Sequence, residues 1–168
     1  MKTIVASILI SVMICSCEEQ SRSVEDKGIS RDQFLSDGQE LPDPWYLIKY
    51  TPQQYVEMQP ARPIIISVGA KWTMTSQVQW RTLFRDNVCE ELKSRGILSL
   101  VADVIHDEKI ANSVLSQFDR VAVPMTILYN PMSSKWMVFP EVFDEDYFMD
   151  FVTQLDKNVV EQGGADDR

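Results

Sequence analysis

The chain alternates short continuous apolar runs with longer stretches whose apolar residues recur every three or four positions, the periods of strand and helix respectively. Leu47-Ile48-Lys49-Tyr50 predicts a short strand, and Thr51-Pro52 places a capping residue before a proline at the first helical position, opening a helix to about Met58. Pro63-Ile64-Ile65-Ile66-Ser67-Val68 is the β-branched run expected of a strand buried on both faces. Thr75 to about Leu83 reads as helix. Asp86 reads as the cap of a further helical stretch in which Val88 and Leu92 share a face, ending at Arg95-Gly96.

The second half repeats the rhythm. Ile97 to Asp103 is a strand, and a helix from Asp107 to Phe118 carries Ile110, Val114, Leu115 and Phe118 as one apolar stripe. Met125 to Tyr129 and Lys135 to Phe139 flank Asn130-Pro131-Met132-Ser133-Ser134, a hairpin signal. A last helix, from Asp144 to about Leu155, is expected to turn Tyr147, Phe148, Phe151 and Val152 to the sheet. The order β-α-β-α-β-α-β-β-α predicts an α/β domain with a central mixed sheet flanked by helices.

The ends differ in character from this core. Residues 1–16 carry Lys2, the apolar run Ile4 to Ile10 and then Cys15-Ser16 before Cys17, the pattern of an export signal with a lipoprotein-type end. Cys17 is then the lipid-modified residue that anchors the chain to a membrane; an ordinary secretory signal cut elsewhere is the other reading. Residues 17–43 are polar and punctuated by Gly28, Gly38 and Pro42, predicting a flexible tether, and 158–168 predict a disordered acidic tail, leaving 44–157 as the domain. The expected location is the bacterial cell envelope, facing the periplasm.

Charge and cysteine count narrow the chemistry. With 25 acidic residues against 16 basic ones and a formal charge of −9, the chain is a poor nucleic-acid binder. Of its three cysteines, Cys15 leaves with the signal and Cys17 is acylated, so only Cys89 stays a thiol, and one thiol cannot close an internal disulfide. Cys89 lies near Val88 and Leu92 with Glu90 and Glu91 after it, which reads as a small buried hydrophobe rather than a redox sensor. His106 is the only histidine and sits among Asp103, Asp107 and Glu108, acids that suit a helix start better than a zinc or hydrolase centre. The eight methionines and the tryptophans Trp80 and Trp136 are spaced as core residues. No cofactor or metal is expected.

Trp72 directly after a buried strand and Val123-Pro124 directly before the hairpin resemble the thioredoxin fold. Trp45, Tyr50-Thr51-Pro52, Arg62 to Ile66, Ala70-Lys71-Trp72, Ala102-Asp103, Phe118 to Pro124, Leu128 to Pro131 and Phe139 to Val142 are similar to the periplasmic thioredoxin-like domain of DsbD-type thiol:disulfide interchange proteins. The resemblance spans about residues 45–155. It implies a thioredoxin-like fold, reached through an N-terminal strand and helix extension. It also implies that the two cysteines of the family fall at Thr73 and Ser76, and the buried proton-relay acid at Ser67. A threonine hydroxyl cannot replace a low-pKa thiolate without a base to activate it.

The resemblance further implies that the bond before Pro124 is cis and that the Val123 backbone faces an extended substrate. Two readings of the site stay open. Thr73, Thr75 and Ser76 either cap a helix and nothing more, or form with Trp72, Met74, Val123 and Pro124 a rim that holds an envelope protein or an extended peptide. The functional expectation is a redox-inactive binding or scaffolding lipoprotein. The alternative is an oxidoreductase working through Cys89 or a partner's thiol.

Overall fold

The computed structural model describes residues 40–106 and 108–157. The expected export signal, Cys17, most of the expected tether and the expected tail from 158 lie outside the described residues, as does Asp107.

The first strand, β1 (Trp45–Leu47), leads into helix α1 (Pro52–Met58), whose start is a capping box. The Thr51 side chain accepts from the Gln54 N–H while Gln54 Oε1 accepts from the Thr51 N–H. Then follow β2 (Ile64–Gly69), α2 (Met74–Leu83), α3 (Asp86–Ser94), β3 (Leu98–Asp103), α4 (Glu108–Gln117), β4 (Met125–Asn130), β5 (Lys135–Val138) and α5 (Glu145–Lys157).

The sheet runs β1-β3-β2-β4-β5. β1, β3 and β2 are parallel, and β4 and β5 complete the sheet as antiparallel strands. Every residue of β2, β3 and β4 is buried, because helices cover both faces of these central strands. Alternation sorts the two cores. Ile64, Ile66 and Val68 of β2 join Leu98, Leu100 and Ile127 against α1 and α4, whereas Ile65 faces α2, α3 and α5 with Leu83, Leu92, Phe148 and Val152. Each fully buried aliphatic side chain of this kind contributes about 1.5–3 kcal/mol.

Several element ends differ from the sequence expectation. The ordered domain begins by Glu40 rather than after 43: Leu41 is 2% exposed in the core and the Trp45 N–H donates to the Pro42 carbonyl at 2.8 Å. Polar, proline-rich composition hid this one anchoring leucine. The first strand sits at 45–47 rather than 47–50, since Trp45, Tyr46 and Leu47 are the residues in register with Ser99, Leu100 and Val101. Because β1 pairs with β3, the expected strand and helix extension is an integral edge of the sheet.

Asp86 is the first residue of α3 and not its cap; Arg85 takes the cap position without a side-chain bond. Tyr147 is exposed while Phe148 and Val152 are fully buried, because a helix can turn only one stripe inward. Asp144 does cap α5, its carboxylate accepting from the Tyr147 N–H at 2.9 Å.

The helix ends explain themselves. α3 closes with Gly96 at φ 63°, the Gly96 N–H on the Lys93 carbonyl and the Ile97 N–H on the Leu92 carbonyl. α4 closes in the same way through Asp119 at φ 54°. Between α2 and α3 the chain breaks at Phe84-Arg85, and Arg85 pairs with Glu145 of α5 at 2.5 Å.

One glycine is set by packing. A Cβ built at Gly69 would stand 2.5 Å from Cζ2 of Trp80, an indole already in the core. Gly69→Ala is therefore expected to lower the stability of the domain by about 1–3 kcal/mol, the usual cost of overpacking. Urea unfolding followed by circular dichroism measures it, and an unchanged midpoint would refute the contact.

Candidate functional site

The strand register gathers the candidate residues at one end of the sheet. Val68 of β2 is paired with Met125 of β4, so Ala70 to Thr73, which follow β2, and Val123-Pro124, which precede β4, leave the sheet at the same edge. The loop from Phe139 to Glu141 joins them there. The Phe139 N–H donates to the Thr126 carbonyl at 2.8 Å, and Gln79 Nε2 of α2 reaches the Glu141 carbonyl at 3.4 Å.

Thr73 is the N-cap of α2, in extended conformation, and its Oγ1 accepts from the Ser76 N–H at 3.2 Å. The same hydroxyl donates toward Ser76 Oγ at 2.5 Å and lies 3.1 Å from the Ala70 carbonyl. Ser76 Oγ in turn accepts from the Ala70 N–H at 3.1 Å. Thr73, Ser76 and Ala70 thus form a closed ring of hydrogen bonds, and Ser76 is completely buried. Neither hydroxyl contacts an imidazole, carboxylate or amine among the described residues.

The ring gives Thr73 the capping role of the first of the two readings. Ser76 is completely buried, and the half-buried Thr73 has its hydroxyl bonded within the loop, so neither stands at the rim as a free donor. What the rim does present is apolar. Trp72 is 70% exposed and Met74 79% exposed, with Thr75 exposed beside them; across the edge, Val121 is 99% exposed. Val123 is half-buried, Pro124 is buried, and the Val123–Pro124 bond is cis. Val121, Ala122, Pro124 and Glu141 line a cavity of about 210 Å³ next to it.

Beneath this edge lies Ser67, whose side chain faces α2. Its Oγ accepts from Trp80 Nε1 and from the Thr126 hydroxyl, both at 3.2 Å, and donates to Gln79 Oε1 at 3.4 Å. Thr126 is the cross-strand neighbour of Ser67, so the cluster follows directly from register. A serine fills the place in the strand with a small, neutral group whose partners are all supplied. The sequence pointed to Ser67 but missed Gln79, Trp80 and Thr126. A glutamine on the inward side of an amphipathic helix and a threonine in an apolar strand were the available signals.

Cys89 lies away from this edge, 6% exposed, with its thiol directed to the Leu83 carbonyl at 3.8 Å. Burial is the main reason its pKa is pushed up to about 11, with the Asp86 and Asp43 charges adding to the rise. The buried Trp45 indole N–H, which has no strict hydrogen-bond partner, opposes the rise without cancelling it. His106 is exposed at the β3–α4 junction, where its N–H donates to the Asp103 carbonyl at 2.9 Å. Asp103 Oδ1 accepts from the Ile105 N–H at 3.0 Å. No cluster of three or more metal-ligating side chains occurs among the described residues.

Two outcomes follow. At pH 8 the native Cys89 thiol should react with iodoacetamide more than about a hundredfold slower than free cysteine, since only the thiolate attacks. The rate should rise steadily with pH toward 11, and native labelling as fast as that in denaturant would contradict the burial. Ser67→Ala should cost about 1–3 kcal/mol by leaving the Trp80 and Thr126 donors without their acceptor, read as a lowered unfolding midpoint. An unshifted midpoint would show that the cluster contributes nothing.

No known protein family and no curated protein matches the sequence. Solved structures do match in architecture. The chain is similar to chloroplastic thioredoxin z, with a TM-score of 0.51 at 16% identity, over 66% of this chain and 95% of that one. The oxidised C-terminal domain of DsbD from Neisseria meningitidis gives a TM-score of 0.48 at 14% identity, over 60% and 86%. Trxlp from Edwardsiella tarda EIB202 gives 0.49 at 17% identity, over 63% and 97%. At 16% identity the likeness to thioredoxin z is one of architecture alone, and together with the β1-β3-β2-β4-β5 sheet it gives this chain a thioredoxin-like fold.

Proposed function

We propose that the protein is a redox-inactive, thioredoxin-like lipoprotein of the bacterial envelope that binds an extended segment of another protein. The observation that carries the reading is the hydrogen bond between Thr73 and Ser76, the two positions at which the resemblance implies the family's thiols. Attack on a disulfide needs a thiolate and a resolving thiol. Here the only thiol among the described residues is buried and away from the edge.

The surface around the hydroxyls favours binding. Trp72 from the loop after β2, Met74 from the first turn of α2, Val121 from the loop before β4 and Val142 from the loop after β5 are exposed apolar side chains, and exposed apolar patches on a folded domain mark interaction sites. A strand-like partner segment laid against the Val123 backbone would place its side chains on them. Lipidation at Cys17 would hold this surface near the membrane and raise the local concentration of an envelope partner. The second reading, an oxidoreductase acting through Cys89, is disfavoured by the burial of that thiol.

The purified protein is expected to show no reduction of insulin by dithiothreitol above the protein-free rate. A photocrosslinker at Met74 should capture an envelope protein in intact cells, with Trp72→Ala lowering the yield severalfold. Insulin turnover would overturn the redox half of the proposal, and absence of capture, or capture indifferent to Trp72, the binding half. Loss of metabolic palmitate labelling in Cys17→Ser is the corresponding check on the anchor.

A further inference from the structure

One edge of the sheet is open. β5 pairs with β4 on one side, and among the described residues no strand lies along its other side. The Phe139 N–H donates to the Thr126 carbonyl, so Phe139, Met137 and Lys135 are the alternate residues whose backbone groups turn toward β4. Trp136 and Val138 therefore direct their N–H and C=O groups away from the sheet. None of these outward groups has a partner among the described residues.

Such an edge is a ready template for another strand, and natural sheets blunt it with proline, bulges or charges turned inward. β5 carries no proline, and its register with β4 is unbroken from Lys135 to Val138. Its one charge, Lys135, stands at the end nearer the hairpin turn. Side chains alternate along the strand. Trp136 and Val138 stand on the α4 face, where Phe118 meets the Trp136 ring edge-on at 5.7 Å, and Met137 stands on the α5 face. Val138 is 42% exposed, and Trp136 and Met137 are half-buried.

This short sequence is complementary to itself. With a second β5 laid antiparallel and Met137 opposite Met137, Trp136 of each copy falls opposite Val138 of the other, on the same face of the sheet. Those are the residues with outward backbone groups, so every one of these groups finds a partner, and an indole meets a β-branched side chain at each pair. Each Lys135 falls opposite the other copy's Phe139, two positions from its Glu141. The two lysines thus lie at opposite ends of the ribbon, each toward a carboxylate of the other copy.

We infer that the protein pairs with a second copy of itself through antiparallel β5 strands, joining two five-stranded sheets across a two-fold axis at Met137. The paired strands run in opposite directions, so the sheet ends that carry Trp72 point away from each other in the dimer. The inference stands independently of what the Trp72 edge binds.

The test oxidises purified protein carrying Met137→Cys with copper phenanthroline and reads the linked dimer on a non-reducing gel, with the unsubstituted chain giving the background of its own cysteines. Residues directly opposed in a non-hydrogen-bonded pair have Cα atoms about 4.5 Å apart, within disulfide reach. Val138→Cys is the register control, because its copies stand about 8 Å apart at Cα and cannot bridge; Met137→Cys is expected to link at least about tenfold more. Sedimentation of the unsubstituted protein should show a monomer–dimer equilibrium below about 1 mM, as suits a small interface. Val138→Pro removes an outward N–H and no bond to β4, and should weaken dimerisation at least about tenfold. Val138→Glu, which sets a charge against the indole, should weaken it severalfold and keeps the test valid if the proline variant fails to fold.

A monomer at every concentration up to about 1 mM overturns the inference and leaves the edge to a strand of a different chain. Linking at Val138→Cys equal to or above that at Met137→Cys overturns it too, as does a dimer that both Val138 substitutions leave intact.

Discussion

The seating of α2 on β2 is the constraint on which the rest of this molecule depends. Trp80 drives its indole into the space that the missing side chain of Gly69 leaves open, and its N–H ends on Ser67 in the middle of the sheet. That contact fixes the height and rotation of the helix. It thereby fixes where Thr73 caps the helix, where Trp72 emerges, and which face Gln77, Arg81 and Phe84 turn outward. The polar part of the contact is possible only because Ser67 and Thr126 are cross-strand neighbours on the α2 side of the sheet. An apolar pair there would leave the indole N–H buried without an acceptor.

The same seating decides what the helix start can do. Residues at the N-terminus of α2 have amides to satisfy, and Thr73 and Ser76 meet that need with each other and with Ala70. A hydroxyl so engaged is a structural group. The edge around it presents exposed indole, thioether and aliphatic groups. The one thiol among the described residues is held in the opposite condition, buried, beside the Asp86 and Asp43 carboxylates and with a raised pKa.

Much of this was legible in the sequence because it depends on local rules. The Thr51-Pro52 start, the β-branched run of β2, the Asn130 to Ser134 hairpin and the Arg95-Gly96 stop are each set by residues within a few positions of one another. The positions of Thr73, Ser76 and Ser67 were legible for a different reason: their spacing from Trp72 is preserved in the family that the sequence resembles. What could not be read was which residues meet across long separations. Leu41 looked like part of a tether because its neighbours are polar and its partners in the core lie far along the chain. Asp86 looked like a cap because acids often are caps, but the chain leaves α2 at Phe84 and α3 begins at the acid itself, with Arg85 in the cap position.

The sequence by itself determined the α/β order and the placing of Thr73 and Ser76 one and four positions after Trp72, since these are matters of period and position. Only the tertiary structure decided that their hydroxyls bond each other and that Gln79, Trp80 and Thr126 surround Ser67. These depend on strand register and on the rotation of α2, and both are settled by burial of side chains distant in sequence rather than by any local preference.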